Sequence, residues 1–164
     1  MTARHRRFRP AGARALAALA TLSAISVAHA QQVVLSNTRG LDFGRFVAGS
    51  GGTITISPTG VRSRTGGVVL LNSPSVGQAS FSVGKSSNGG ASKAVIISAP
   101  ANGSIRLNSG GNSMAVSSFV NTPASIASVP NGGTTLSLGA TLTVAPNQPP
   151  GNYSGTFPLT VNFQ

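Results

Sequence analysis

Residues 134–144, TTLSLGATLTV, decide the fold class because apolar and polar side chains alternate along them. In a strand, successive side chains point to opposite faces of the sheet, so every second residue shares a face. The apolar face would contain Leu136, Leu138, Ala140, Leu142 and Val144. One apolar and one polar face is typical of an antiparallel sheet that covers a core on one side. The stretch therefore predicts a long strand with one buried face.

Further apolar or alternating runs are separated by clusters of Gly, Asn, Ser and Pro, residues that favour turns. No window keeps a helical period, and only residues 123–130, PASIASVP, allow a helical turn. Many short strands in this length predict an all-β antiparallel β-sandwich, with a closed barrel as the structural alternative. The predicted strands are Val33–Ser36, Leu41–Ala48, Thr53–Ser57, Gly67–Leu71, Ala79–Gly84, Ala94–Ser98, Ser104–Asn108, Met114–Asn121, Thr134–Val144 and Tyr153–Phe163.

The beginning of the chain, residues 1–30, has the composition of a secretory signal peptide. An arginine-rich stretch without acids precedes an apolar run, residues 15–28, that is too short to span a membrane comfortably. Ala28 and Ala30 then form a small-x-small cleavage site. An uncleaved anchor is the alternative. The pattern predicts export to the periplasm, the cell surface or fimbrium, or the medium, and a single mature domain, residues 31–164.

The mature chain contains few groups that could do acid–base or nucleophilic chemistry. It has no Cys, Glu, His or Trp, and its only carboxylate is Asp42. These absences exclude paired carboxylates, Ser-His-Asp or Cys-His arrangements and the usual zinc sites. A Ser-Lys pair with Lys85 or Lys93 stays formally open. We expect a non-enzymatic protein without cofactor or metal, in which Asp42 is a turn residue that bonds nearby backbone amides or pairs with an arginine.

The charge of the mature chain is positive but dispersed. Residues 31–164 carry seven Lys or Arg and one acid, a net charge of +6. No aromatic side chains interleave with these charges, so we expect no nucleic acid partner. Contact with anionic polymers at the cell surface is favoured instead.

One stretch, Ala79–Ser86, matches a nucleotide-binding loop if alanine may replace the first glycine. The sequence SNGG follows where a helix should begin, and no second acid is available for magnesium. We interpret Ala79–Gly84 as a strand and residues 85–90 as its hairpin loop, and expect no nucleotide.

Two long stretches carry a family resemblance. LDFGRFVAGSGGTITISPTGVRS, residues 41–63, and LSLGATLTVAPNQPPGNYSGTFPLTVNFQ, residues 136–164, resemble the secreted bacterial family called domain of unknown function 4402 (DUF4402). That family is similar to the spore coat protein U domain and to chaperone–usher fimbrial, or pilin, subunits. The resemblance covers the two ends of the mature chain better than its middle, residues 72–130.

The resemblance to fimbrial subunits implies an immunoglobulin-like sandwich that lacks its last strand. A periplasmic chaperone lends a strand, and the N-terminal extension of a neighbouring subunit later replaces it at an usher. Such subunits end on an alternating strand with a penultimate aromatic residue, here Phe163, and with a glycine at the start of the last fourteen residues, here Gly151. The implied assembly residues are Val33 and Leu35 in a donor extension, residues 31–39, and Gly151, Tyr153, Phe157, Leu159, Val161 and Phe163 in the last strand.

The odd-numbered residues from Tyr153 to Phe163 share the apolar face of that last strand, which predicts that they face the core. Pro158 lacks an amide hydrogen, so we expect the strand to lie at a sheet edge or to be bulged. The leading hypothesis is an exported structural subunit of a pilus-like or surface-coat assembly that polymerises by donor-strand addition. The alternative is a monomeric envelope or extracellular binding module for polysaccharide or surface adhesion.

Overall fold

The computed structural model describes residues 33–85 and 94–164, which form an antiparallel β-sandwich. The predicted signal peptide and its cleavage residues lie outside these ranges. Within them, no helix is long and apolar enough to cross a bilayer. The strands are β1 (Val33–Arg39), β2 (Phe46–Val47), β3 (Gly52–Ile56), β4 (Arg62–Gly66), β5 (Val69–Leu70), β6 (Ala79–Lys85), β7 (Val95–Ser98), β8 (Ile105–Ser109), β9 (Asn112–Thr122), β10 (Ser125–Ile126), β11 (Thr134–Val144) and β12 (Thr160–Phe163).

The first layer is a seven-stranded sheet organised around β11. Strand β9 runs along one edge of β11. Strands β6 and β3 follow each other along the other edge, β6 beside residues 134–138 and β3 beside residues 140–144. Strands β1, β4 and β8 pair with β6, β3 and β9. The apolar face predicted for β11 is buried along its whole length, which confirms the alternation.

Along this edge of β11, the pairing with β6 ends and the pairing with β3 begins beside Gly139. A Cβ atom there would collide with the carbonyl oxygen of Ile56 and lie 2.6 Å from the carbonyl carbon of Ser57 and 2.8 Å from the nitrogen of Pro58. Backbone atoms in a ladder cannot move aside as a flexible side chain can. The position therefore requires glycine because another backbone segment comes so close to it.

The second layer is split into two parts that cover two core clusters. The three-stranded sheet β10-β7-β12 covers the lower core, and the two-stranded ribbon β2-β5 covers the upper core. No ladder among the described residues joins the two parts. The upper core contains Phe43, Ala48, Ile54, Ile56, Val68, Met114, Val116, Ala140, Leu142 and Val144. The lower core contains Ala79, Phe81, Val83, Val95, Ile97, Ile126, Val129, Leu136 and Leu138.

Three predicted strands are much shorter than expected, and one of them, Gly67–Leu71, contributes only the two residues of β5. The run Leu41–Ala48 contributes only the two residues of β2, since the chain leaves the first layer after β1 and reaches the second layer at β2. The run Tyr153–Phe163 contributes an isolated bridge at Ser154 and then β12. The edge position expected from Pro158 is confirmed, because β12 is the outer strand of its sheet and the proline lies just before it.

Two short elements were wrongly predicted or missed. Residues 123–130 contain β10 instead of a helical turn, and Ile126 and Val129 are buried in the lower core. Strand β4, RSRTG, was missed because it contains no apolar residue and has no buried face. An edge strand held by backbone pairing and polar side-chain contacts leaves no hydrophobic period in the sequence.

We predict that Gly139→Ala lowers the free energy of unfolding by about 2 kcal/mol, since the new methyl group must displace backbone atoms. Urea unfolding followed by circular dichroism measures the loss. The control is Gly84→Ala in β6, because no atom lies within 4 Å of a Cβ at that position. We expect this control to change stability by less than about 0.5 kcal/mol. Equal losses in the two variants would contradict the close approach.

Candidate functional site

A cleft of about 1190 Å³ opens beside β2, where the second layer is split. Two long stretches of chain line it, residues 39–48 and residues 148–155, together with Leu71 and residues 73–75. Its floor includes Met114 and Leu142 of the upper core and Leu107, which packs against that core. We call this cleft the terminal groove because the segment that follows β1 and the segment that precedes β12 border it. Core side chains form part of its floor, and two of them, Met114 and Leu142, are only 3% and 1% exposed.

Tyr153 holds the start of the last segment against the upper core. Its ring is half-buried there, its hydroxyl donates a hydrogen bond to the carbonyl oxygen of Pro149 at 2.8 Å, and it accepts one from Gln148 Nε2 at 2.9 Å. Ser154 and Asn108 then exchange backbone hydrogen bonds of 2.8 and 3.0 Å. These contacts fix one wall of the groove to β8, and they leave the Tyr153 hydroxyl with little capacity for a ligand.

Phe157 carries the same segment over to the lower core. Its ring lies 5.4 Å from the ring of Phe119 and 6.4 Å, edge to face, from the ring of Phe81. Leu159 and Val161 continue the inward-facing row and are half-buried. The predicted alternation is confirmed for these residues, but their burial is incomplete. Phe163, which was expected to face the core, is instead 45% exposed.

The backbone of β12 presents hydrogen-bonding groups to its open edge. The amide of Gln164 donates to the carbonyl oxygen of Ala94, so even-numbered amides of this strand point towards β7. Amides alternate in direction along an antiparallel strand. The N–H and C=O groups of Val161 and Phe163 therefore point away from β7, while the side chain of Val161 packs against the lower core. Among the described residues no strand pairs with this edge, so its groups are available to one further strand.

The predicted donor segment begins outside the described residues, but Val33–Arg39 lies in the first layer as β1. It pairs antiparallel with β6, and Val33 and Leu35 are half-buried against the lower core. Its end is fastened by side chains as well. Arg39 Nη2 donates to the carbonyl oxygens of Ser75 and Val76 at 3.0 and 2.8 Å.

Asp42 organises the other wall of the groove, as the sequence indicated for a turn residue. Its Oδ1 accepts a hydrogen bond of 2.7 Å from the amide of Gly44. Its backbone exchanges bonds of 2.9 and 3.0 Å with Gly77. The absence of a side chain at Gly77 matters here, since a Cβ would lie 2.8 Å from the Arg39 guanidinium carbon. Loop 73–77 therefore contacts the chain on both sides of residue 40, at Arg39 and at Asp42.

Arg62 ties this wall to the ribbon, and nothing in the sequence pointed to it. Its guanidinium donates to the carbonyl oxygens of Leu71 at 3.0 Å and Arg45 at 2.8 Å. Partial burial lowers the pKa of Arg62, and the nearby Asp42 carboxylate opposes that shift. Arg39 and Arg62 both donate to carbonyl oxygens of residues that are not their neighbours in the sequence. A pattern of side chains along the sequence does not predict such contacts.

The structure also explains Gly151 and the stretch that matched a nucleotide-binding loop. Gly151 lines the groove, and a Cβ there would lie 3.1 Å from Ser109 Cβ, so close packing explains the glycine. The stretch that matched a nucleotide-binding loop is strand β6 up to Lys85, whose Nζ donates to Asn131 Oδ1 at 3.1 Å. The predicted hairpin residues after Lys85 lie outside the described ranges.

The family model described as "Domain of unknown function (DUF4402)" matches residues 33–163. The chain belongs to the DUF4402 family. This match includes the middle of the chain, which the two terminal stretches alone did not cover, and it contains both walls of the terminal groove. No significant similarity to a curated protein or to a solved structure was found.

We predict that two aromatic residues on the same face of the last segment differ in their effect on stability. Phe157→Ala should lower the free energy of unfolding by about 2 kcal/mol because it removes two ring contacts at the lower core. The matched change Phe163→Ala should cost less than about 0.5 kcal/mol, since that ring is largely exposed. Thermal and urea unfolding of both variants measure the difference. A loss at Phe163 as large as that at Phe157 would show that Phe163 supports the core.

Proposed function

We propose that this protein is an exported, non-enzymatic structural subunit of a pilus-like or surface-coat assembly, and that its terminal groove receives a strand from another polypeptide. One observation carries the proposal. The second layer of the sandwich is split, and the cleft beside the ribbon has core residues as its floor. An added strand would pack against the residues that line the cleft and would pair with the edge of β12 that faces away from β7, which lies outside the lining of the cleft.

The chemistry of the open edge supports strand addition. Main-chain groups of Val161 and Phe163 supply hydrogen bonds that depend little on the partner's sequence, and the half-buried side chain of Val161 packs against the lower core beside them. Strand addition elsewhere uses this division, with affinity from the main chain and specificity from side-chain pockets. Polar partners of the Tyr153 hydroxyl within its own chain argue against a sugar site built on that ring.

The resemblance of the family to fimbrial subunits and to the spore coat protein U domain supports the same proposal. In such a system a periplasmic chaperone would hold the groove first, an usher would bring subunits together, and a neighbouring subunit would then occupy the groove. Contact of the finished assembly with the cell surface would be favoured by the positive charge of the domain. These partners belong to the proposal.

The edge of β12 allows a sharp test. Val161→Pro removes an amide that points to the open edge, whereas Val161→Ala shortens the same side chain and keeps that amide. Tagged full-length variants are produced in the native host, and envelope extracts are run on gels with and without boiling. We expect wild type and Val161→Ala to migrate as complexes that collapse on boiling. Val161→Pro should migrate as the monomer in both lanes.

The unfolding midpoint of each variant is measured in parallel, and we expect the two substitutions to differ by less than about 1 kcal/mol, since neither removes a hydrogen bond to β7. A wild-type protein that is monomeric without boiling would contradict the proposal, as would complexes that survive Val161→Pro. Specific binding to a glycan array by that monomer would support the alternative of a monomeric envelope binding module.

Export is tested separately. We predict that the protein recovered from the envelope or medium begins at Gln31, because Ala28 and Ala30 form the cleavage site. Intact-mass spectrometry of the purified protein measures the start. Substituting Ala30→Leu should leave the precursor uncleaved, whereas Ser26→Ala outside the site should have no effect. Wild-type protein that retains all of the first thirty residues would contradict the prediction.

A further inference from the structure

We infer that residues 33–39 stay paired with β6 during assembly, and that the terminal groove takes an extended segment of a different protein, apolar at alternate positions and acidic at one end. This inference rests on the proposed function and names the partner of the same groove. It departs from the expectation that the chain's own N-terminal residues serve as the donor.

Strand β1 is already paired within its own chain. Six register pairs join it to β6, from Val33 opposite Lys85 to Arg39 opposite Ser80. Val33 and Leu35, the two apolar anchors available to a donor, pack against the lower core of their own chain. If β1 left its sheet, core residues such as Phe81 and Val83 would be uncovered and the edge of β6 would be unpaired. A second copy of the chain would have to lose the same contacts.

Side-chain hydrogen bonds, in addition to backbone pairing, hold β1 in its position. Thr38 Oγ1 donates to the carbonyl oxygen of Ser80 at 3.0 Å, and Arg39 donates to two carbonyl oxygens of loop 73–77. These bonds lie at the end of β1 that leads directly into the wall of the groove. A donor strand must be free to leave its own domain, whereas this segment is tied down at the point where it would have to separate.

The positive charge of the domain disfavours a second copy of the chain as the partner. The described residues carry six Lys or Arg and one acid, so two copies repel each other at moderate ionic strength. Arg39 and Arg45 line the groove, and Asp42 is the only acid that does. That carboxylate is already bonded to the Gly44 amide and interacts with Arg62. The wall therefore attracts an acidic segment and disfavours a basic one.

An engineered disulfide tests whether β1 must leave. Ser36 and Ser82 face each other in the register, both are exposed, and the chain has no cysteine. Directly opposite residues of an antiparallel pair have the spacing that a disulfide needs. Ser36→Cys with Ser82→Cys therefore locks β1 to β6 when oxidised and releases it when reduced. A second lock, Val34→Cys with Gly84→Cys, uses the next position, where a Cβ at Gly84 meets no atom within 4 Å.

Binding is measured with two synthetic peptides of about ten residues that alternate valine and threonine, a length that spans one edge strand. One peptide carries two aspartates at one end, and its match carries two lysines there. A third peptide copies residues 31–39 of this chain. Fluorescence anisotropy of labelled peptides is recorded with residues 31–164, wild type and locked, oxidised and reduced. Circular dichroism and the unfolding midpoint show whether each lock leaves the fold intact.

We expect the acidic peptide to bind the oxidised, reduced and wild-type proteins with the same affinity, about tenfold more tightly than the basic peptide, and the difference to shrink as salt is added. Binding of the acidic peptide only after reduction would overturn the inference, because β1 would then have to leave. Equal or tighter binding of the basic peptide, or of the copy of residues 31–39, would overturn the partner chemistry. If no peptide binds any form, and Val161→Pro complexes persist on gels, the proposed function fails together with the inference.

Discussion

The backbone pairing of β11 is the constraint on which the rest of the structure depends. This strand holds β9 along one edge and both β6 and β3, one after the other, along the opposite edge. The exchange needs Gly139, because any side chain would strike the end of β3. Each half of β11 therefore faces its own core cluster, and the second layer is built in two pieces over them.

The split second layer links the fold to the proposed function. The cleft lies beside the ribbon, and the core residues Met114 and Leu142 belong to its floor although they are only 3% and 1% exposed. The edge of β12 that faces away from β7 pairs with no described strand, and such an edge invites association with another strand. Strand β12 has only four residues and follows Pro158, which limits how much of the edge can pair without a fitting partner. Under the proposed function, the same features would permit strand addition and restrain random aggregation.

The sequence predicted the elements that have one buried face, since burial imposes a period of two residues. It predicted β11 to the residue, and it predicted the inward row of Phe157, Leu159 and Val161. It missed β4, whose pairing leaves no apolar period, and it overextended the segment around β2, where the chain changes layers. The family resemblance pointed to the last segment, but it could not show that β1 is occupied within its own sheet.

Composition and local periodicity by themselves determined the fold class, the lack of paired acids, cysteines and histidines in residues 31–164, and the residues of the last segment that turn inward. These properties depend on neighbours in sequence. Only the tertiary structure decided that the second layer is divided, that Arg39 and Arg62 fasten one wall of the groove, and that Phe163 stays exposed. Those outcomes depend on which distant segments meet, and backbone groups that pair across many residues have no signature in the order of the side chains.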